Sequence, residues 1–314
     1  MDAGAALPES STPPLPAVRR ARRRFLALGG VILLVACGLL VGLSFYAMQV
    51  EPEWLEVHTV DVFLPELSPL HEGLTLVQLT DLHLGPDVTA SYLQRVVKQT
   101  NAQSPDLIVL TGDFVSQSAS YSRAAAEILA DLRAPYGVFA VLGNHDVWVG
   151  ADEVAARLTE VGITVLRNDR VQLFPRGEPL WLVGIEDAGA LDCGAGGLEP
   201  GLWSEQQAAV TRLLADIPSA EARILLVHAP DFVTLLPAGR LDLVLSGHTH
   251  GGQVRLPLMG APIVPSCEGQ KYAGGWVPGS PPVYVSRGIG LIAPAVRFNC
   301  RPELPVLRLR RAVE

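Results

Sequence analysis

Short apolar runs in this chain alternate with longer stretches of helical periodicity. The apolar runs predict strands of the fully buried type, and they lie at Leu74–Thr80, Leu107–Thr111, Val138–Leu142, Leu180–Ile185, Ile224–Val227 and Leu243–Leu245. Apolar side chains three and four residues apart predict amphipathic helices at Ala90–Ala102, Tyr121–Leu132, Asp152–Val161 and Ser204–Ile217. This alternation predicts an α/β fold in which helices flank a central sheet.

The last third of the chain differs in composition. From Arg255 to Glu314 it is rich in glycine and proline, and strands are predicted at Val283–Ser286 and Val306–Arg310. We expect this part to form loops and edge strands that close a second sheet. Residues 49–70 are predicted to be a linker, because prolines at positions 52, 65 and 69 disfavour a long helix. The folded domain is therefore expected over residues 71–314.

An apolar segment precedes the linker. Residues 26–48 carry no charge over 23 positions, and about 20 apolar residues suffice to cross a bilayer. Residues 1–25 form a Pro-rich and Arg-rich tail, with arginines at positions 19, 20, 22, 23 and 24. Because basic flanks stay in the cytoplasm, we interpret the segment as a single transmembrane helix or signal anchor. The tail is then cytoplasmic, and the body lies on the non-cytoplasmic side of the membrane.

Two motifs leave the processing of this segment open. The stretch Arg22–Leu26, RRRFL, resembles a twin-arginine export signal, and a plain arginine cluster is the alternative. The stretch Leu34–Cys37, LVAC, resembles a lipobox, in which Cys37 would become a lipidated N-terminus. The apolar run continues beyond Cys37, which favours an uncleaved anchor.

Charge separates the tail from the body. The net charge is -8, and the residues beyond Met48 hold 19 basic against 30 acidic side chains. An acidic surface repels a polyanion, so nucleic acid is excluded as the main partner. A metal centre in such a body can still accept one small phosphate ester.

The four cysteines have neither the density nor the spacing of a disulfide framework or a zinc–thiolate site. They lie at Cys37, Cys193, Cys267 and Cys300. We interpret them as unpaired thiols. A bridge between Cys267 and Cys300 is the alternative if the body lies in an oxidising compartment.

Polar side chains follow five of the predicted strands, at the ends where ligand sites of α/β folds lie. They form the motifs Asp81-Leu82-His83, Gly112-Asp113, Gly143-Asn144-His145-Asp146, His228 and Gly247-His248-Thr249-His250. Side chains two residues apart at a strand end point the same way, so Asp81 and His83 can share one cation. Oxygen and nitrogen donors without thiolate favour Mn, Fe or Zn over an iron–sulfur cluster.

Together and in this order, the five motifs resemble the signature of the calcineurin-like metallophosphoesterases. That resemblance implies a four-layer αββα sandwich of two mixed sheets and a centre of two divalent metal ions. Carried over by position, the ligands of the first metal would be Asp81, His83, Asp113 and His250, and those of the second Asp113, Asn144, His228 and His248. Asp113 would bridge the two ions.

Such a centre hydrolyses a phosphodiester, pyrophosphate or phosphomonoester bond. Two cations lower the pKa of a bridging water, so that the metal-bridging hydroxide attacks, and they stabilise the attacking and leaving oxygens. His145 is predicted to protonate the leaving oxygen or to stabilise transition-state charge, and Asp146 to orient its ring. Arg287 and Arg297 are candidates for binding the substrate phosphate, with a structural ion pair as the alternative for each.

Further segments indicate the substrate class. Gly251–Gln253, Ser286–Gly290 and Arg297–Glu303 resemble the membrane-associated bacterial branch of that family, which implies hydrolysis of UDP-2,3-diacylglucosamine or of phosphodiesters. We therefore expect a lipid-linked or cell-envelope phosphate ester. Precursors that carry UDP are cytoplasmic, whereas the arginine cluster predicts an exported domain. Either the substrate is an envelope ester, or the topology is reversed.

Two other functions compete with catalysis. The first is an inactive, membrane-tethered ligand-binding module of the same fold, and the second is a metal-sequestering protein. Inactive relatives of enzymes usually lose ligands, and here no expected ligand position is missing. Metal storage would not require the non-ligand His145. Both observations favour the enzyme.

Overall fold

The structure is a computed structural model that describes residues 15–189, 193–194, 197–199 and 201–312. Its internal contacts divide the chain into two compact units, Met1–Tyr46 and Ala47–Glu314.

The first unit holds one long helix, α1 (Leu15–Phe45), which contains most of the predicted segment 26–48. Its side chains from Arg19 to Phe45 are exposed. The helix is long and apolar enough to cross a membrane. A signal sequence meets the same criteria, so the membrane anchor stays a prediction.

The second unit contains the strands and the remaining helices. The strands are β1 (Glu56–Leu64), β2 (Thr75–Leu79), β3 (Leu107–Thr111), β4 (Val138–Val141), β5 (Thr164–Val165), β6 (Asp169–Leu173), β7 (Leu180–Ile185), β8 (Cys193–Gly194), β9 (Gly197–Leu198), β10 (Ala222–Val227), β11 (Leu243–Ser246), β12 (Gly275–Val277), β13 (Val283–Val285) and β14 (Glu303–Arg311). The helices are α2 (Ala90–Ala102), α3 (Ser122–Leu129), α4 (Asn144–Glu160) and α5 (Ser204–Leu214).

Two six-stranded mixed sheets form the centre of this unit. The first has the order β1-β14-β2-β3-β4-β5, and the second has the order β12-β13-β11-β10-β7-β6. In the first sheet, β14 runs antiparallel to β2, and the other neighbouring strands are parallel. In the second, the edge strands β12 and β6 run antiparallel to their neighbours, and the inner strands are parallel.

The buried apolar side chains form three hydrophobic clusters, because side chains along each strand alternate between the two faces of its sheet. On β3, Leu107 and Val109 face the second sheet, where they pack in one cluster with Leu182 and Leu226. Ile108 and Leu110, which alternate with them on β3, belong to a second cluster that includes residues of α2, α3 and α4. Because successive side chains of a strand point to opposite faces, one short apolar run contributes to two cores.

The outer face of the second sheet packs against α5. Val183 and Leu225 lie in one cluster with Val210 and Leu214 of that helix. Each apolar side chain that is fully buried in this way contributes about 1.5–3 kcal/mol. The layers are therefore helices, sheet, sheet and helix, which confirms the four-layer αββα sandwich of two mixed sheets.

The structure corrects the predicted linker. Within residues 49–70 it forms β1, which pairs in parallel with β14 along nine residues. Prolines at 52 and 65 flank this strand, so they delimit an element and do not mark a flexible connection. Strand β14 also differs from expectation, because β1 covers it and makes it an inner strand.

The cysteine interpretation is also corrected. Cys193 and Cys267 form a disulfide that joins segments 74 residues apart, and both predicted alternatives are therefore wrong. Cys37 and Cys300 are free thiols. The buried Cys300 instead lies against the backbone oxygen of His250. The pairing could not be read from spacing, because the fold alone brings Cys193 to Cys267.

Candidate metal centre

Five strand ends bring the predicted ligands together, as their positions in the sequence indicated. β2, β3 and β4 of the first sheet precede Asp81, Asp113 and Asn144, and β10 and β11 of the second sheet precede His228 and His248. The predicted ligands are buried, apart from the partly buried His248. The site therefore lies where the carboxyl ends of both sheets meet.

The backbone at this site is strained. Five of the seven predicted ligands have positive φ angles between 49° and 70°, namely Asp81, His83, Asp113, His248 and His250. Residues other than glycine rarely adopt this conformation, which costs of order 1–3 kcal/mol each. Such strain persists where the surrounding structure enforces it, and it is concentrated at functional sites.

Two glycines permit the loops to approach one another. Gly112 has φ +98°, and a Cβ there would lie 2.6 Å from the backbone nitrogen of Gly143. A Cβ on Gly143 would lie 2.3 Å from Asp113 Oδ1. Only glycine fits at either position, so the glycines of both motifs serve to bring Asp113 beside Asn144.

The side chains converge at distances typical of ligands that share a cation. His83 Nε2 lies 3.3 Å from Asp113 Oδ2 and 3.1 Å from His250 Nε2. His250 Nε2 lies 3.3 Å from Asp81 Oδ1. Two ligands bound at about 2.0–2.2 Å to one ion lie roughly 2.8–3.6 Å apart, for angles at the metal from about 90° to about 110°. This group of four matches the predicted ligands of the first metal.

The second predicted group is built around the same carboxylate. Asp113 Oδ2 lies 3.1 Å from His228 Nε2, and Asn144 Oδ1 lies 3.0 Å from His248 Nδ1. The other oxygen of Asp113 accepts a hydrogen bond of 2.9 Å from the backbone nitrogen of His145. Asp113 Oδ2 is thus the atom shared by the two groups.

Hydrogen bonds on the far side of two imidazoles direct their free nitrogens into the centre. His228 Nδ1 donates to the Thr111 carbonyl at 2.7 Å, and His83 Nδ1 lies 3.0 Å from Ser116 Oγ. These contacts turn each Nε2 towards the centre, where a cation can take the place of a ring proton, which is how metal-binding histidines are usually oriented. Among the described residues, the buried Nε2 of His248 has no hydrogen-bond partner, and the buried Nε2 of His228 faces only the Asp113 carboxylate at 3.1 Å and that of Asp81 at 3.9 Å. The donor set therefore fits divalent cations.

The charges in the centre also favour a cation. Burial opposes ionisation of Asp113, but His228 and His83 hold the pKa of this carboxylate well below its ordinary value. Burial lowers the pKa of His248 to about 3, which keeps that ring neutral. Burial likewise opposes the charged form of His228, yet Asp113 and Asp81 raise its pKa to about 10. A bound cation would replace that proton on His228.

Asp146 does not orient the ring of His145, which corrects the predicted role. Its Oδ2 accepts from the backbone nitrogens of Asp113 at 2.8 Å and Gly143 at 3.0 Å, and its Oδ1 accepts from Phe114 at 2.9 Å. Burial raises the pKa of Asp146 to about 7, and the charge of Asp113 acts in the same direction. Asp146 therefore holds the Asp113 loop against the start of α4.

The ring of His145 lies at the edge of the centre. Its centroid is 4.7 Å from that of His83 in an edge-on arrangement and 4.6 Å from that of the exposed Trp148. One of its nitrogens lies within 4.8 Å of ligand atoms of His83 and Asp113. Burial lowers the pKa of His145, so its ring is neutral near pH 7.

The two candidate arginines have structural contacts. Arg287 pairs with Glu303 and with Glu56, and the Arg287–Glu56 distance is 2.8 Å. Arg297 is fully buried, and it donates to backbone carbonyls of Arg287, Gly288, Gly290 and Cys300. The structure gives Arg297 the role of holding the 287–290 loop, which in turn bonds to the backbone of Asp81. Neither position supports the predicted contact with substrate phosphate.

Sequence reasoning missed Asp187. This buried residue follows β7 by two positions, and one of its carboxylate oxygens has no partner among the described residues. Burial raises its pKa to about 6, and the charge of His228 acts against this shift. Its place after a buried strand is the same signal that identified the predicted ligands.

The αββα sandwich and the buried carboxylates and imidazoles at its strand ends define a class, the metal-dependent hydrolases of phosphate esters. Residues 74–252 match the calcineurin-like phosphoesterase family, and the chain belongs to it. The protein is a metallophosphoesterase, as the motifs predicted.

Three relatives support this assignment. Phosphodiesterase YaeI of Escherichia coli is 32% identical over 294 residues, covering 92% of this chain and 98% of that protein. Uncharacterized metallophosphoesterase YkuE of Bacillus subtilis is 33% identical over 301 residues, covering 93% and 98%. A transmembrane protein with metallophosphoesterase domain from Danio rerio is 34% identical over 262 residues, covering 81% of this chain and 57% of that protein.

Proposed function

We propose that this protein hydrolyses a phosphodiester, pyrophosphate or phosphomonoester bond with two divalent cations. The observation that carries the proposal is the position of Asp113 Oδ2 between two imidazole nitrogens, 3.3 Å from His83 and 3.1 Å from His228. The proposed first group is Asp81, His83, Asp113 and His250, and the proposed second group is Asp113, Asn144, His228 and His248. When bound, Mn, Fe or Zn ions supply an acidified water and neutralise phosphoryl charge.

His145 is proposed to act on the substrate. Because burial keeps its ring neutral near pH 7, the better of its two predicted roles is donation of an N–H to the charge that develops on the phosphoryl or leaving oxygen. Asp146 contributes indirectly by holding the Asp113 loop in place. Neither residue is required as a metal ligand.

We further propose that the body acts outside the cytoplasm on a lipid-linked or cell-envelope ester. The apolar α1, with five arginines before its apolar stretch, supports a single-pass anchor with this orientation. The Cys193–Cys267 disulfide supports it independently, because such bonds persist in oxidising compartments. Twin-arginine export agrees with a metal centre that is assembled before transport.

The test is hydrolysis of bis-p-nitrophenyl phosphate by the full-length protein after loading with Mn²⁺. We expect release of p-nitrophenol, loss of turnover after chelation and recovery when Mn²⁺ is restored. Absence of turnover with Mn²⁺, Fe²⁺ and Zn²⁺ in turn, at confirmed occupancy of the site, would support the inactive ligand-binding module instead.

A further inference from the structure

An apolar cleft adjoins the metal centre. It has a volume of about 290 Å³, and Thr249 and His250 form one of its walls. The rest of the lining is mainly apolar and includes Val254, Ile263 and Val296, together with three prolines. A pocket of this kind favours an apolar ligand group.

The polar groups of the cleft are distributed unevenly. Gln253 is fully engaged in one wall, because its Nε2 donates to the carbonyls of Ile292 and Pro294 and its Oε1 accepts from the nitrogen of Ile292. Thr249 Oγ1 and His250 Nδ1 have no hydrogen-bond partner among the described residues. Both atoms are buried and belong to residues of the wall shared with the metal centre, whereas the rest of the lining is mainly apolar.

An exposed apolar turn lies in the chain between two segments that line the cleft. Residues 256–260 close on themselves through hydrogen bonds of 2.8 and 3.0 Å between Leu256 and Gly260. At the tip, Leu258 is fully exposed and has φ +68°. A bulky residue in this conformation is strained, and packing does not explain it, because its side chain faces solvent. The flanking residues Val254 and Pro262 both line the cleft.

We propose that this cleft holds an alkyl chain of the substrate while the phosphate lies at the metal centre. The proposal rests on the phosphoesterase function above and narrows its substrate class to amphiphilic phosphate esters. A sugar or a base would leave its own polar groups unpaired in such a lining. An alkyl chain loses nothing there and gains up to about fourfold in affinity for each methylene that leaves water.

The experiment uses the full-length, Mn²⁺-loaded protein in phosphatidylcholine nanodiscs. The substrates are p-nitrophenyl phosphodiesters whose second ester group is methyl, propyl or hexyl. In each, water adds to phosphorus, the bond from phosphorus to the aryl oxygen breaks, and p-nitrophenolate leaves together with the alkyl phosphate. We expect kcat/KM to rise at least tenfold from methyl to hexyl.

Variants separate binding in the cleft from simple partitioning into the bilayer. Ile263→Asp places a charge on an exposed lining residue, and Val296→Trp fills the cleft, so each should bring the hexyl-to-methyl ratio of kcat/KM close to one. Phe174→Asp is the matched control, because Phe174 is an exposed apolar residue outside the cleft. It should retain the wild-type ratio.

The outcomes distinguish the two proposals. A flat series in the wild type, or an unchanged ratio in both cleft variants, overturns the alkyl-chain site while the phosphoesterase stands. A ratio that falls equally in Phe174→Asp also overturns it. If the wild type hydrolyses none of the esters at confirmed metal occupancy, the phosphoesterase function and the cleft assignment both fail.

Discussion

At the scale of single residues, His145 is the side chain whose role differs most from that of its neighbours. It lies beside His83 without belonging to either proposed ligand group. We expect His145→Ala to lower kcat by about 10²–10⁴, the usual contribution of a positioned proton donor or acceptor, while bound metal stays unchanged. Steady-state kinetics and metal analysis of the same sample measure both.

Two further variants sharpen this expectation. His145→Gln keeps an N–H donor and should recover part of the lost turnover if the neutral ring acts by donation. His58→Ala removes a histidine that is outside the centre and bonded to Tyr284, and it should keep full turnover. Wild-type kcat in His145→Ala would exclude the proposed role.

Replacement of Asp146 should change the stability of the fold and the affinity for metal. Asp146→Asn replaces one acceptor oxygen by a donor that faces backbone N–H groups. We expect a loss of about 2–3 kcal/mol in the free energy of unfolding and metal binding that is about 10–100-fold weaker. Denaturant unfolding and metal titration calorimetry measure these. A variant that lost only kcat, with metal affinity intact, would restore the role of orienting His145.

The sequence revealed candidate ligands better than it revealed supporting residues. Asp81 and His228 each follow a predicted strand directly, and Asp113 follows one after a single glycine, so the strand pattern alone placed them at one edge. The acceptors of Arg297 and the donors to Asp146 are backbone groups of distant segments, and no side-chain pattern marks them. Their roles depend on the path of the folded chain.

At the scale of elements, predicted and observed boundaries differ where tertiary contacts determine structure. The predicted helix Asp152–Val161 begins eight residues earlier, at Asn144, because the Asp146 carboxylate caps the first turn. Gly150 has a non-helical conformation and introduces a kink just before the predicted part. β1 was missed because its partner β14 lies 247 residues further along the chain, as in the pair Glu56 and Glu303. Helix Ala90–Ala102 matched at both ends, since Thr89 caps it locally by accepting from the nitrogen of Tyr92.

The Cys193–Cys267 disulfide should raise the free energy of unfolding. Bonding Cys193 to Cys267 constrains a loop of 74 residues, and its removal should lower the free energy of unfolding by about 2–4 kcal/mol. Cys193→Ser should show this loss in thermal or denaturant unfolding. Cys37→Ser, which removes a free and exposed thiol, is the control. A thiol titration of the unfolded, unreduced protein should find two thiols for each chain, and four would contradict the bond.

At the scale of the whole molecule, the side of the membrane on which the body lies restricts the possible substrates more than the metal ligands do. The arginine cluster and the disulfide both predict a body outside the cytoplasm. A C-terminal reporter enzyme that requires an oxidising compartment should therefore be active when fused to the full chain. Activity only in a matching reporter that requires the cytoplasm would reverse the orientation and restore UDP-linked precursors as candidate substrates.

Counting metal in the wild type and in Asp113→Asn decides whether Asp113 bridges a centre of two cations. Each sample is loaded with Mn²⁺, freed of excess metal by gel filtration and assayed at once with bis-p-nitrophenyl phosphate. We predict two ions for each chain with turnover in the wild type, and loss of both metal and turnover in Asp113→Asn. One ion for each chain in an active wild type, or wild-type turnover in Asp113→Asn, would show that catalysis does not depend on two cations bridged by Asp113.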